Sequence, residues 1–250
     1  MVEKNDKLVT IKKGITDQNS LPVIVASMYG RKRMVHYLYS KTPKSLLDGS
    51  DGVLLLNNLI TAEFYVPDIK NLHDKKLVND EASNLLGRIF KEIRGMSDLE
   101  LERMEIDKAV HNAIKHGIVE FVDELLTYNP DFIWRKDKRG RTIFSHAIIL
   151  RQEKIFSLFY RLGPKKSIVA SRHDIFHNNF LHLAAKLSPP AQLDRISGAA
   201  LQMQRELQWY KEVESLVQPK YKDQVNESHR KPDSLFSQEH KELAKEGENG

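Results

Sequence analysis

The side chains best equipped for chemistry in this sequence are its 10 histidines and its runs of cations. His173 and His177 stand four residues apart with Asp174 between them, the spacing at which two imidazoles on one helical face hold a metal ion. Gly30-Arg-Lys-Arg33 and Arg135-Lys-Asp-Lys-Arg-Gly-Arg141 are concentrated basic stretches, and the net charge is +5 with a pI near 9.1. Such clusters suit nucleic acid or an anionic membrane surface. However, 34 acidic residues are interleaved with 39 basic ones, no nucleic-acid motif accompanies them, and aromatic interleaving is absent. The expectation is therefore solvated faces or an acidic partner, with no nucleic acid. No Gly-rich phosphate loop, nucleophile elbow or paired-carboxylate constellation is present. With no cysteine, disulfides and thiolate metal sites are excluded. These absences imply no catalytic residue, no cofactor and no metal.

The elements that must position these groups repeat along the chain. Asn179-Phe-Leu-His-Leu-Ala-Ala185 places Leu181, His182, Ala184 and Ala185 as in the ankyrin core T-P-L-H-x-A-A, whose units recur at roughly 33 residues. Leu21-Pro-Val-Ile-Val-Ala-Ser27, followed by Met28-Tyr29-Gly30, keeps the Pro, the Ala and the Gly that ends a first helix. A second copy falls on Gly52-Val-Leu-Leu-Leu-Asn-Asn-Leu59, with Gly52 read as its hairpin Gly. The third centres on Ala113 in Ala113-Ile-Lys-His-Gly117, the fourth on Ala147 in Asp137-Lys-Arg-Gly-Arg-Thr-Ile-Phe-Ser-His-Ala147, and the fifth on Ala184. A weak last copy is Asn226-Glu-Ser-His-Arg-Lys-Pro-Asp-Ser-Leu-Phe236, where Pro232 holds the Pro position.

Each retained residue type has a mechanical role. Asp137 and Gly140 suit a hairpin, because a turn wants a side chain that bonds the local backbone and a residue tolerant of positive φ. Thr or Asn before the first helix caps its free N–H groups, and Pro is allowed in its first turn. Gly30 and Gly117 take the left-handed cap that leads into a second helix. Second helices appear as stripes: Met34-Val35 and Leu38, then Ile118, Phe121-Val122 and Leu125-Leu126. In this register His173 and His177 lie in a hairpin, with Asp174 at its Asp position and His177 where Gly is usual, so the helical metal pair dissolves. His182 is expected to bond the backbone of the preceding hairpin. Trp134 and Trp209 read as core or groove packing.

The fold class that results is all-α, an ankyrin-repeat solenoid of helix-turn-helix units with short hairpin loops. Two stretches exceed the period. Pro67 to Gly95 holds an insertion or distorted repeat, in which Asp68 to Ser83 begins as a loop and Leu85-Leu86, Ile89-Phe90 and Ile93 have helical spacing. After Ser188-Pro-Pro190, residues 191–217 form a long proline-free helix candidate. Its stripe is Ile196, Ala200, Met203, Leu207, Tyr210 and Val217, with Trp209, Val213 and Leu216 beside it. The domain reading is 1–66 for N-terminal repeats, 67–105 for the insertion, and 106–250 for repeats containing the long helix and a weak terminal cap.

Leu181-His-Leu-Ala-Ala-Lys-Leu187 with Pro189-Pro190, then Ser197-Gly-Ala-Ala-Leu-Gln-Met-Gln-Arg-Glu-Leu-Gln-Trp-Tyr-Lys-Glu-Val-Glu214, resembles the plant ankyrin-repeat proteins that carry a C-terminal PGG-type membrane domain. Gly117-Ile-Val-Glu-Phe-Val122, Gly140-Arg-Thr-Ile-Phe144, Arg151-Gln-Glu-Lys-Ile-Phe156 and Glu239-His-Lys-Glu-Leu243 follow the same pattern. The resemblance implies a non-catalytic scaffold or adaptor in plant stress and defence signalling that acts through protein contacts. It departs from the family where Lys245-Glu-Gly-Glu-Asn-Gly250 stands in place of membrane helices, which implies a soluble portion of a membrane-anchored protein, a truncated paralogue or an alternative product. No apolar run here approaches the roughly 20 residues of a bilayer span, and Met1-Val-Glu-Lys-Asn-Asp-Lys lacks a signal peptide's apolar core. A cytoplasmic location is expected.

In an array of this kind the hairpin tips and first-helix ends line one face, so the partner-binding candidates are the variable positions there. They are Met28 and Tyr29; Lys115 and His116; Lys138, Arg139, Arg141, Ile149 and Leu150; and Ile175, Phe176, Asn178, Lys186 and Leu187. Ile175 and Phe176 are apolar where solvated turns are polar. Partner identity is not legible.

Overall fold

The computed structural model describes residues 6–14, 19–47, 49–62 and 86–248. Among the described residues the fold is all-α apart from one antiparallel pairing of two residues a side, Lys13–Gly14 with Asn19–Ser20. Two structural units emerge, Met1–Pro130 and Asp131–Gly250. Asp68 to Ser83 and Leu85 lie outside the described residues. No helix among the described residues is long and apolar enough to cross a membrane.

Among the described residues of the first unit the helices are α1 (Pro22–Met28), α2 (Lys32–Lys41), α3 (Ser50–Thr61), α4 (86–93), α5 (Asp98–Arg103), α6 (Ile106–Lys115) and α7 (Val119–Tyr128). Spacing decides which faces are buried. On α6, Ile106, Ala109, Val110, Ala113 and Ile114 fall at intervals of three and four and are all buried. The two small Ala side chains allow close approach, and α6 packs against α3, α5 and α7. Polar groups inside this layer are paired: Asn112 Nδ2 donates to Asn57 Oδ1 (2.7 Å) and Asn58 Nδ2 to Ser27 Oγ (3.2 Å). As expected from its spacing, α4 buries Leu86, Ile89, Phe90 and Ile93, and Phe90 meets Phe121 edge-on at 5.3 Å. Ser97 caps α5 in a full capping box with Glu100.

Gly52 is not a hairpin glycine. It sits inside α3, and Gly49, with φ 71°, makes the turn before the helix. A glycine is needed at 52 because a Cβ would lie 2.0 Å from the Leu47 carbonyl oxygen. Gly52→Ala should lower stability by about 1–3 kcal/mol, measured as a lower denaturant midpoint at unchanged m-value. A second correction concerns α2, where Val35 and Leu38 are buried but Met34 is half exposed.

The second unit contains α8 (Ile143–Ile149), α9 (Glu153–Ser157), α10 (Lys166–Ala170), α11 (Phe180–Ala185), α12 (Pro190–Leu193), α13 (Ala199–Leu216), α14 (Pro232–Glu239) and α15 (Lys241–Glu248). At its centre α11 has all six residues buried and packs against α8, α13 and α14. Phe159, in the 3-10 segment after α9, meets Phe144 at 5.3 Å, Phe156 at 5.7 Å and Phe180 at 6.0 Å, tying these elements together through aromatic contacts.

The continuous helix expected over 191–217 is broken. α12 stops at Leu193, and α13 begins after Gly198, whose φ of 88° and ψ of 131° no helix accommodates. A proline-free run hid this break, because glycine leaves helical geometry without a proline's visible signature. The buried stripe is also displaced: Glu206, Trp209, Tyr210, Val213 and Val217 are buried, whereas Leu207 is exposed and Met203 half-buried. The burial register follows α11 and α15, the helices that pack on α13.

Candidate functional site

Three five-residue turns of one construction stand in the second unit, opened by Asp137, Asp174 and Asn226. Asp137 Oδ1 accepts from the N–H groups of Arg139 and Arg141, each at 2.8 Å. Asp174 Oδ1 accepts from Phe176 and Asn178, each at 2.9 Å, and Asn226 Oδ1 from Ser228 (3.0 Å) and Arg230 (3.1 Å). In every case the first residue's N–H donates to the fifth residue's carbonyl, at 2.9, 3.0 and 3.1 Å in chain order. The fourth position has positive φ: Gly140 74°, His177 57° and His229 55°. A short side-chain acceptor at the first position and a left-handed fourth residue are what such an Asx turn needs. His177 occupies the glycine slot despite its Cβ, as its register implied.

The turns are joined tip to tip by main-chain bonds. Ile175 N–H donates to the Arg139 carbonyl (3.0 Å), and Glu227 N–H to the Phe176 carbonyl (2.9 Å). Asn226 Nδ2 adds a bond to Asn178 Oδ1 at 3.0 Å. At Gly140 a Cβ would meet Ile175 N at 3.2 Å, so the close approach of the neighbouring turn favours glycine as much as φ does.

Each turn leads within two residues into a helix, which fixes its orientation. Thr142 Oγ1 caps α8 by accepting from Ser145 N–H (3.3 Å). Asn179 caps α11 through the N–H groups of Leu181 and His182, both at 3.0 Å, and donates to the Tyr221 carbonyl (2.9 Å). His182 bonds forward, correcting the expectation that it reaches the preceding hairpin. Its Nε2 donates to the Arg230 carbonyl of the following turn (2.9 Å), while Nδ1 accepts from Asn179 N–H (3.4 Å). One donor and one acceptor describe a neutral imidazole, and burial, the largest influence, holds its pKa below the ordinary value against the Arg230 carbonyl. His146, by contrast, faces its own turn through Asp137 Oδ2 at 3.0 Å.

The candidate binding residues separate by exposure. Lys138, Arg139, Ile175 and Phe176 are exposed at the tips, the last two at 56% and 42%. Leu187 is exposed at the end of α11, while Lys186, Ile149 and Leu150 are half-buried. Two candidates belong to the framework instead. Asn178 is 3% exposed and bonded to Asp174 and Asn226, so it holds turns together. Arg141 is largely covered, with its Nε 3.5 Å from Asp174 Oδ2 and no hydrogen bond at that atom. In the first unit Met28 and Tyr29 are exposed where α1 ends, and Lys115 is exposed and His116 half-buried where α6 ends. His173 Nε2 lies 2.9 Å from Gln224 Oε1 and its ring lies beside Tyr221.

A buried ionic cluster that the sequence reading did not single out braces the helices behind the turns. Arg151, in left-handed conformation (φ 53°), donates to the carbonyls of Ile148 (2.9 Å), Ala184 (3.2 Å) and Lys186, tying together the C-terminal ends of α8 and α11. Its Nε and Nη2 reach the Glu206 carboxylate at 3.2 and 2.7 Å. Glu206 also accepts from Ser188 N–H (3.1 Å) and pairs with His240 Nε2 (3.0 Å). His240 Nδ1 faces the Phe236 carbonyl at 2.9 Å, so both ring nitrogens meet oxygen acceptors. Burial alone raises the Glu206 pKa; the hydrogen bonds and charges of His240 and Arg151 overcome it and bring the carboxylate down to about 2. The available sequence signal was a Glu at a stripe position three residues before Trp209, which looks like a solvated face until burial is known.

No protein-family model matches this chain, and no curated protein sequence matches it.

Proposed function

We propose that this protein is a non-catalytic protein–protein interaction scaffold of the ankyrin type, with recognition centred on the turn tips of residues 131–250. The carrying observation is the threefold turn, joined by main-chain bonds from Arg139 to Ile175 and from Phe176 to Glu227. Each turn precedes a helix, as the repeat register requires, and the tips present two cations beside two apolar side chains. Such a strip suits an extended or helical segment of another protein. The resemblance to plant ankyrin-repeat proteins with a PGG-type membrane domain extends the reading to an adaptor in stress or defence signalling.

Affinity capture with the wild type beside the double variant Arg139→Ala, Phe176→Ala tests the placement. Partners recovered by the wild type should fall at least about fivefold in the variant, consistent with roughly 1 kcal/mol or more from central tip contacts. An unchanged captured set overturns the assignment of the face. A turnover that survives purification and disappears on a single polar substitution overturns the non-catalytic reading.

A further inference from the structure

We propose that residues 28–34, the connection between α1 and α2, form a docking tip for an anionic lipid bilayer surface. This site is separate from the turn strip of the second unit and does not depend on the scaffold reading. All seven residues, Met28-Tyr-Gly-Arg-Lys-Arg-Met34, are exposed. Met28, Tyr29 and Met34 are 54%, 64% and 52% exposed, and Arg31, Lys32 and Arg33 lie between them. No Asp or Glu occurs anywhere in residues 18–47, a stretch that also carries Lys41 and Lys44.

Two local preferences are broken here. Large apolar side chains face water on a short connection, and cations crowd the positive end of a helix. α2 has no acidic residue in its first turn, and its N-cap, Arg31, contributes no side-chain cap. Helix starts favour the opposite charge, so this arrangement spends stability to concentrate positive potential. The tip is also preformed. Gly30 N–H bonds the Ser27 carbonyl (3.0 Å) and Arg31 N–H the Ala26 carbonyl (3.1 Å), anchoring the connection to two buried residues of α1.

A bilayer interface accommodates both oddities at once. Met and Tyr side chains enter the headgroup and upper acyl layer, while the guanidinium groups and the helix N-terminus meet lipid phosphates. Nucleic acid would use the cations and the Tyr29 ring but gives the exposed Met28 and Met34 side chains no apolar layer to enter. An acidic protein would likewise leave Met28 and Met34 without an apolar layer. Met28 and Tyr29, read from the repeat register as protein contacts, thereby face lipid.

Vesicle co-sedimentation with phosphatidylcholine containing about 30% phosphatidylserine, against phosphatidylcholine alone, tests this. The wild type should partition onto the anionic vesicles and release at high salt. Arg31→Glu combined with Arg33→Glu should weaken partitioning at least about tenfold, since each cation near an anionic surface is worth about fivefold. Met28→Ser with Met34→Ser should weaken it by about tenfold, and the control Lys136→Glu with Lys154→Glu by less than about twofold. Because the sequence has no cysteine, Met28→Cys gives a unique attachment point for an environment-sensitive dye, whose emission should rise and shift to the blue on anionic vesicles. Absence of partitioning, or equal partitioning onto neutral vesicles, overturns the proposal. So does loss in the charge variant with no effect of the Met substitutions and a silent dye, the result of a polyanion surface for RNA or an acidic protein. Circular dichroism confirms that each variant is folded.

Discussion

Arg151→Met is expected to lower the unfolding free energy by about 3–5 kcal/mol, a large share of the roughly 5–15 kcal/mol that holds a typical domain together. The substitution removes donors from three helix-end carbonyls, those of Ile148, Ala184 and Lys186, and leaves the Glu206 carboxylate buried with fewer partners. Glu206→Gln tests the same cluster from the other side and adds a dependence on pH. The folded pKa of Glu206 is about 2, against a starting value of 4.5, so the unfolded chain takes up its proton first as acid is added. Stability from this group is complete above about pH 4.5 and is lost as pH falls towards about 2, amounting to about 3 kcal/mol. Denaturant unfolding near pH 5 and near pH 3 should show the wild type losing more stability than Glu206→Gln. Equal losses would remove Glu206 from the account.

Phe159→Ala should cost about 3–5 kcal/mol, the range for deleting a buried aromatic ring. Phe159 is fully buried, and its ring meets those of Phe144, Phe156 and Phe180, which come from α8, α9 and α11. No single neighbour can fill the void, because each is committed to its own helix. Phe159→Leu should recover part of the loss, and the comparison by thermal unfolding separates volume from aromatic geometry. A loss below about 1 kcal/mol for the Ala variant would mean that the surrounding helices collapse into the cavity.

Periodicity and punctuation made most helices legible. Pro22 and Gly30 bracket α1, Asn179 announces α11, and the spacing of Ile106, Ala109, Val110, Ala113 and Ile114 states both helix and buried face. Glycine was harder to read, because one residue type serves opposite purposes. Gly52 is required for close approach within a helix and Gly198 for a break between two helices, and neither role can be told from the letter alone. The tips Lys138, Arg139, Ile175 and Phe176 were legible because the register fixes their position. The Arg151, Glu206 and His240 cluster was not, since its members lie 55 and 34 residues apart and only tertiary packing brings them together. Asn178 and Arg141 were misread for the same reason: an exposed-looking polar residue in a turn turns out to hold the adjacent turn.

The joined turns separate two demands that most binding surfaces mix. The bonds from Arg139 to Ile175 and from Phe176 to Glu227 that align one tip with the next run through peptide groups, and the buried Asn178 and the Asn226 side chain add to them from beneath. On the proposed scaffold reading, point substitution of the outward side chains of residues 138, 139, 175 and 176 changes what the strip recognises while its main-chain alignment is inherited unchanged. The surface behaves as a fixed frame with interchangeable lettering.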